Sequence, residues 1–306
     1  MTYAQYGLVQ AADYNSLTGG PTSTSANTFN AVWATGSGNA GYGQPALANV
    51  NVGATVFASD WANLVNNISN VASHQGSSIT SVTAPVSGGK VTYLSAVPTN
   101  IQTIYSNRLN AQTLGSTTSV TTTRATTWLN SLTFTQTATF ASANAARFFF
   151  NRGGQLKINC IGPGGTGVNL LFNTLSINVG TIVLSSPTGG TATIAGIAYN
   201  GVTKIGGSGS VQNIAVNYGF HALTSTPTEI FKQAFATGPG YYSGSFIQIK
   251  ASLSGAVVTF DTIWDSVPNT YTINGCSTIL TAQLPESLYV SNNWGTVTLA
   301  GSVTGS

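Results

Sequence analysis

The sequence predicts a mainly β protein, with a small N-terminal helical and loop-rich region over residues 1–118 and an antiparallel, jelly-roll-like β-sandwich over residues 119–306. Three observations carry that expectation. Apolar residues recur at helical spacing before about residue 115 and alternate after residue 132. Turn signals then come at near-regular short intervals through the second half. Between the two regimes, residues 132–161 read as a central β-hairpin.

In the first region, residues 11–17 can form a short helix stopped by Gly19-Gly20-Pro21, and residues 27–34 a second stopped by Gly36. The clearest helix starts at Ser59 as N-cap, with Asp60 in the first turn, where a negative charge meets the helix dipole. Trp61, Leu64, Val65, Ile68 and Val71 share one face, and Gly76 ends it. A fourth helix is expected after Pro98, carrying Ile101, Ile104, Tyr105 and Leu109 and ending near Gly115. Residues 77–94 alternate weakly, as an extended segment would. Residues 18–26 and 36–56 are long loops of the kind often used for binding. The hydroxyl-rich run 116–123 is a linker or an edge strand, and the domain boundary is set there.

In the central stretch, residues 132–140 alternate as a half-buried strand requires, and the apolar run 146–150 reads as a second strand. Asn151-Arg152-Gly153-Gly154 would then reverse the chain into residues 155–161. Beyond it, Pro187-Thr188-Gly189-Gly190 separates a strand ending at Leu184 from residues 192–199. Asn200-Gly201 is a hairpin signal leading into residues 202–205. Ser254-Gly255 separates residues 246–253 from 256–264, and Asn274-Gly275 separates 271–273 from 277–284. Many short strands joined this way indicate a sandwich or jelly roll.

Charged residues make up 5% of the chain, and Gly, Ser, Thr and Asn fill the polar positions. With 42% hydrophobic residues the chain is the opposite of a disordered one. Depletion of charge is also what the cores of subunit interfaces show, which points to a larger assembly. The net charge of +3 arises from scattered residues with no Lys/Arg cluster, so nucleic acid is not an expected partner. No secretory signal and no membrane-spanning run is visible. Cys160 and Cys276 are too few for a disulfide framework and read as two buried thiols.

No constellation for catalysis, cofactor binding or metal binding emerges. Residues 162–167, Gly-Pro-Gly-Gly-Thr-Gly, match the dinucleotide pattern G-x-G-x-x-G after an expected strand. A dinucleotide site also needs a following helix and an acid about 20 residues on, yet no Asp or Glu lies between Asp60 and Glu229. The run is read as a flexible turn. Asp261 and Asp265 invite comparison with a glycosidase pair, but four residues along a strand span roughly 13 Å, beyond the roughly 5–9.5 Å such pairs need. His74 is expected to bond the last carbonyls of its helix, and His221 reads as either a packed residue or a ligand. Tyr241, Tyr242, Trp264 and Trp294 are the candidate glycan contacts, since aromatic faces suit sugar rings; core or subunit-interface packing is the competing and weightier reading.

Several segments resemble the tail-fibre-like and virion structural proteins of tailed bacteriophages, especially those of cyanobacterial and marine hosts. They are Ala12-Asp13-Tyr14-Asn15, residues 39–44 (Asn-Ala-Gly-Tyr-Gly-Gln), Asp60-Trp61-Ala62-Asn63-Leu64, Ser73-His74-Gln75-Gly76, and residues 146–155 (Ala-Arg-Phe-Phe-Phe-Asn-Arg-Gly-Gly-Gln). The resemblance implies a non-enzymatic virion component made in the host cytoplasm, a homo-oligomer of trimeric type, with other tail, neck or capsid proteins as partners. No heptads or shaft repeats are present, so a collar, baseplate or capsid-surface protein is as compatible as a fibre. The alternative function is a receptor-binding tip that contacts host-surface glycan, or a capsid decoration protein. The helical region is expected to serve attachment and the β-region outward display.

Overall fold

The computed structural model describes residues 10–19, 27–87, 95–209, 212–235, 244–267 and 270–306. It is mainly β, with antiparallel sheets, as a β-sandwich requires.

Four helices form the first layer: α1 (Ala11–Thr18), α2 (Phe29–Trp33), α3 (Ala58–Gln75) and α4 (Ala96–Ser106). The acids of α1 and α3 cap them: Asp13 and Asp60 accept from the backbone N–H of Gln10 (3.0 Å) and Phe57 (2.9 Å). Helix α3 therefore starts at Ala58, with Ser59 inside it and not at its N-cap. Gly76 closes it in the left-handed conformation at φ 68°. Tyr14, Phe29, Trp33, Trp61, Leu64, Ile68, Ile101 and Ile104 build one apolar core between these helices. Helix α4 includes Pro98 in its first turn, where the missing N–H costs nothing, and ends at Ser106, not near Gly115. Leu109 leaves the helix and packs with Ala111 against the β-region. Residues 77–87 form no strand; Asn100 pins them by bonding both N–H and C=O of Thr80.

β1 (Leu114–Arg124) runs straight through the hydroxyl-rich segment and is an edge strand, not a linker. β2 (Ser131–Thr139) and β3 (Gln155–Ile161) form where expected, but the run between them does not. Residues 146–150 lie in a helix, α5 (Ala143–Asn151), N-capped by Ser142, whose Oγ accepts from Ala145 N (3.0 Å). The central hairpin is therefore a strand–helix–strand unit. The reason is visible in the packing: Ala145, Ala146, Phe149 and Phe150 recur at helical spacing and enter the sandwich core, where Phe149 meets Phe140 (5.1 Å) and Phe150 stacks on Phe220 (4.1 Å).

A second unforeseen helix, α6 (Val168–Val179), follows the glycine run and buries Phe172, Leu175 and Val179. The remaining strands are β4 (Thr181–Leu184), β5 (Ala192–Ile194), β6 (Ile197–Tyr199), β7 (Val202–Ile205), β8 (Gln212–Ile214), β9 (Thr228–Ala234), β10 (Phe246–Ser254), β11 (Val257–Asp265), β12 (Cys276–Pro285) and β13 (Thr298–Gly305). Residues 192–199 thus break into a small hairpin, with Ala195 at φ 49° in the turn. Asn200-Gly201 does not make a hairpin, because β7 pairs with β4. Ser254-Gly255 does, joining β10 to β11. Of residues 271–273 only Ile273 pairs, in a bridge to Trp128.

The sheets order as β1-β12-β3-β4-β7 and β13-β2-β11-β10-β9-β8. Their inner faces, with Leu132, Phe134, Leu156, Ile158, Ile247, Ile249, Phe260, Trp264 and Leu280, enclose the main core. Helix α6 bridges the sheets, touching β3 on one and β9 and β10 on the other. At the opposite margin the edge strands β1 and β13 run against each other, so each covers an edge the other would leave open.

Candidate functional site

The helical layer meets the sandwich through a buried polar junction, and it is assembled mainly by α5. Arg152, at the C-terminal end of α5, is fully buried. Its guanidinium donates to the carbonyls of Ser291 (2.6 Å), Glu286 (2.9 Å) and Val290, and lies 4.4 Å over the ring of Trp294. Burial lowers its pKa to about 10, which leaves it charged at neutral pH. The planar fork gathers the loop after β12 around one cation.

Glu286 in that loop works in the other direction. Its Oε2 accepts from the backbone N–H of Leu288 and Tyr289, while Oε1 is 2.6 Å from Nδ1 of His74 on the last turn of α3. His74 is fully buried, and desolvation outweighs the pull of Glu286, so its pKa falls; the carboxyl of Glu286 is also held below its ordinary value, by His74 and the two amides against its own desolvation. The pair is therefore a neutral imidazole donating Nδ1–H to a carboxylate at neutral pH. Tyr42 packs edge-on to His74 (5.3 Å), donates to Arg108 O (2.7 Å) and accepts from Gln75 Nε2 (2.9 Å). Gln44 Nε2 reaches Ser291 O (2.7 Å), and Asn293 Nδ2 reaches Gly43 O (2.6 Å).

Arg147, more than a turn back along α5, and Asn151, the residue before Arg152, hold the loop between α2 and α3. Arg147 donates to the carbonyls of Thr35 (2.6 Å) and Ala40 (2.5 Å), and Asn151 Nδ2 to those of Ala40 and Gly41 (both 3.1 Å). Because Asn151 Nδ2 is spent as a donor, its Oδ1 accepts from His221 Nε2 (2.9 Å), which assigns the proton of that ring. Burial and the nearby guanidiniums of Arg147 and Arg108 press the His221 pKa down to about 4, so this ring too is neutral. Gly43 is required here: a Cβ on it would meet the ring of Phe148 at 2.4 Å, and its φ is 75°.

Chemically, this arrangement is a clamp. Its guanidinium and amide groups are aimed at backbone carbonyls on both sides of the joint, its one carboxylate at backbone amides and His74, and both histidines are locked as neutral hydrogen-bond donors. Sequence reasoning missed Tyr42, Arg147, Asn151, Arg152 and Glu286 as members, and found His74 without its partner: the imidazole bonds Glu286, not the helix carbonyls.

The residues singled out from sequence lie elsewhere or are closed off. Tyr241 and Tyr242 fall outside the described residues. Trp264 and Trp294 are interior, at 0% and 2% exposure, and present no face to a sugar. Asp261 and Asp265 lie on one unbroken strand paired residue for residue with its neighbours, so no bend draws them together. The glycine run is followed by a helix after all. Yet β3 and β4 on either side of α6 are antiparallel, and Gly162 serves packing, its Cβ position lying 2.4 Å from Asn173 Cα. Cys160 and Cys276 carry free thiols; Cys276 is buried as read, but Cys160, next to the end of β3, is only partly buried. Among the described residues no group of three or more His, Cys, Asp or Glu could hold a metal ion, and no helix is long and apolar enough to cross a membrane.

Comparison with protein-family models, with curated proteins and with solved structures finds no match to this chain.

Proposed function

We propose that this chain is a structural subunit of a tailed-bacteriophage virion, a tail-fibre-like, neck, collar or baseplate component that acts by oligomeric assembly and not by catalysis. One observation carries the reading: the segments that resemble virion proteins converge in space on the helical core and the clamp. Tyr14 packs on Trp61 (5.6 Å), Asn39 accepts from Arg108 (2.9 Å), and Tyr42, Gln44, His74, Gln75, Arg147, Asn151 and Arg152 make up the junction. The residue types that motivated the resemblance therefore specify a stiff joint between a helical layer and a sandwich, which suits a part that bears load. The low charge of the chain supports extensive contact with further copies, and the resemblance implies that these form a trimer.

Mass spectrometry of purified particles encoded by the genome that carries this chain tests the reading. The chain should be present at a fixed stoichiometry, with antibody label on tail, neck or capsid surface; its absence from particles that are otherwise complete overturns the proposal. Light scattering of the isolated protein should give a multiple of the 31.3 kDa chain mass, and a strict monomer both in solution and on the particle counts against the trimer.

A further inference from the structure

Arg124, Thr278, Cys160 and Cys276 meet on the inner face of the five-stranded sheet, at the end where β1 and β3 finish and β12 begins. Arg124 is directly opposite Cys276, and Thr278 is directly opposite Cys160. Residues opposite one another in an antiparallel pair share a face, and so do residues two apart on one strand. Cys160 and Cys276 are therefore diagonal neighbours across the β3–β12 ladder. Cys276 belongs to the main core, and Cys160 packs against it. Burial raises the Cys160 pKa and charge on Cys276 raises it further, so the two thiols sense each other.

Polar groups around this pair lack partners. Thr278 is fully buried, and its Oγ1 makes no hydrogen bond among the described residues. The buried Nε of Arg124 has no acceptor among them either. Burial raises the Cys276 pKa, while the Arg124 cation and the indole N–H of Trp128 pull it back; that N–H also donates to Asn274 O (3.1 Å). A hydroxyl and a guanidinium N–H without acceptors thus stand beside two uncharged sulfurs. Such groups are costly in a dry region, and negative charge on the sulfurs would satisfy both.

Spacing decides what can place that charge there. Diagonal neighbours in such a ladder have Cα atoms roughly 7–8 Å apart. A disulfide needs about 4.4–6.8 Å, so the sulfurs do not reach each other for a direct bond. An ion bonded to both sulfurs adds two metal–sulfur lengths of about 2.3 Å and spans the gap. Zinc takes four ligands, and the described residues hold no group of three or more His, Cys, Asp or Glu. A thiolate pair instead suits a soft cation that accepts two ligands in line. We propose that Cys160 and Cys276 form a two-thiolate site for Cu(I), with Arg124 and Thr278 holding the charge of the complex. Binding exchanges two S–H protons, released to solvent, for two Cu–S bonds; copper stays Cu(I) and no electron moves. The bound complex is an anion, which the Arg124 cation neutralises and the Thr278 hydroxyl hydrogen-bonds. Ile161, the residue after Cys160, is half exposed at the strand end, so the pair lies just inside the rim of the sandwich. The site stands apart from the virion reading.

The test titrates the full chain with Cu(I), supplied without oxygen as its acetonitrile complex, against the chromogenic chelator bicinchoninate. The chain has two cysteines and one methionine, so few other soft ligands compete. Each chain should take one Cu(I) from the chelator and release two protons, and copper-edge X-ray absorption should find two sulfur neighbours. Cys160→Ala and Cys276→Ala should each weaken binding about a hundredfold or more, and Arg124→Gln about tenfold with both thiols in place. Cu(I) should also raise the melting temperature of the parent and of neither cysteine variant. Should a cysteine variant fail to fold, Arg124→Gln, on a partly exposed side chain, decides the question alone. The proposal is overturned if the chelator keeps the ion, if either folded cysteine variant or Arg124→Gln binds as the parent does, or if Zn²⁺ competes equally. It is overturned too if the thiols close an intramolecular disulfide in air, since the sulfurs would then lie too close for a bridging ion.

Discussion

His74 Nδ1 and Glu286 Oε1 are 2.6 Å apart although 212 residues separate them in the chain, and this buried contact joins the last turn of α3 to the loop that leaves β12. The other ring nitrogen of His74, Nε2, has no hydrogen-bond partner among the described residues. A proton arriving there would create an imidazolium beside the Arg152 cation, which already lowers the His74 pKa, with no acceptor to receive it.

Acid should therefore weaken the fold in a defined window. The folded-state pKa values of His74, His221 and Glu286 are all depressed, so in each case the unfolded chain binds protons first. Stability is level above the ordinary histidine pKa of about 6.5, falls as both histidines demand protons below it, and falls again as Glu286 is protonated at lower pH. Urea midpoints measured from pH 8 to pH 4 should show this. His221→Asn should flatten the slope between pH 6.5 and about 4; a midpoint that rises on acidification would refute the sign.

Arg152 tests the clamp directly. Arg152→Lys keeps the charge and loses the fork that spans three carbonyls, at a cost of about 3 kcal/mol or more in chemical denaturation. Arg147→Lys, on a partly exposed side chain, should cost about 1 kcal/mol. Equal losses would mean the burial of Arg152 adds nothing.

The approach of the two edge strands depends on Gly301. A Cβ there would lie 1.9 Å from Thr122 Oγ1 on β1, with Gln136 and Thr122 Cβ also close. Gly301→Ala should lower stability by about 1–3 kcal/mol by forcing β13 away from β1. Adding Thr122→Ala removes the nearest atom and should return a good part of the loss. Additive destabilisation in the double variant would show that the contact is not the cause.

Both thiols should react slowly. Burial pushes the Cys160 pKa up, and that of Cys276 up to about 12, so little thiolate exists at pH 8. Intact-mass analysis should find neither residue alkylated by iodoacetamide until the chain is unfolded. Rapid labelling of Cys276 in the native state would contradict the burial of β12.

How far the sequence was legible follows from what each signal contains. The helix faces around Trp61 and Ile101, the β2 alternation and the β10–β11 hairpin are local patterns, and they form as read. Helix α5 was misread because five residues, Ala146 to Phe150, are too few to separate strand from buried helix. The longer window, Ser142 as cap with Ala145, Ala146, Phe149 and Phe150 as a stripe, does separate them. Helix α6 carried the spacing Phe172, Leu175, Val179 behind a glycine run treated as a turn. The clamp was illegible for a different reason: Arg152, Arg147 and Asn151 bind backbone carbonyls, which every residue has, and His74 finds its carboxylate only after the fold has closed.

The final expectation concerns what remains when the helical layer is removed. Among the described residues the sandwich core draws its buried members from 128 to 297, and the helical core takes from the β-region only Val290. All three carbonyls bound by Arg152 belong to residues 286–291, so that half of the clamp survives in a fragment spanning 114–306. The fragment loses His74 from Glu286, Gln44 from Ser291, the carbonyls that Arg147 and Asn151 bind, and Ala111 from the small cluster around Val183 and Ile194. Glu286 can then take water in place of the imidazole, which limits its own loss to about 1–3 kcal/mol. The fragment should fold cooperatively with β-type circular dichroism and a lower melting temperature, while its 286–294 loop exchanges amide hydrogens faster than in the full chain. On the structural-subunit proposal it should also fail to join particles. An unfolded fragment would mean that the helical layer is part of one folding unit with the sandwich; a folded fragment that still incorporates would place attachment in the β-region.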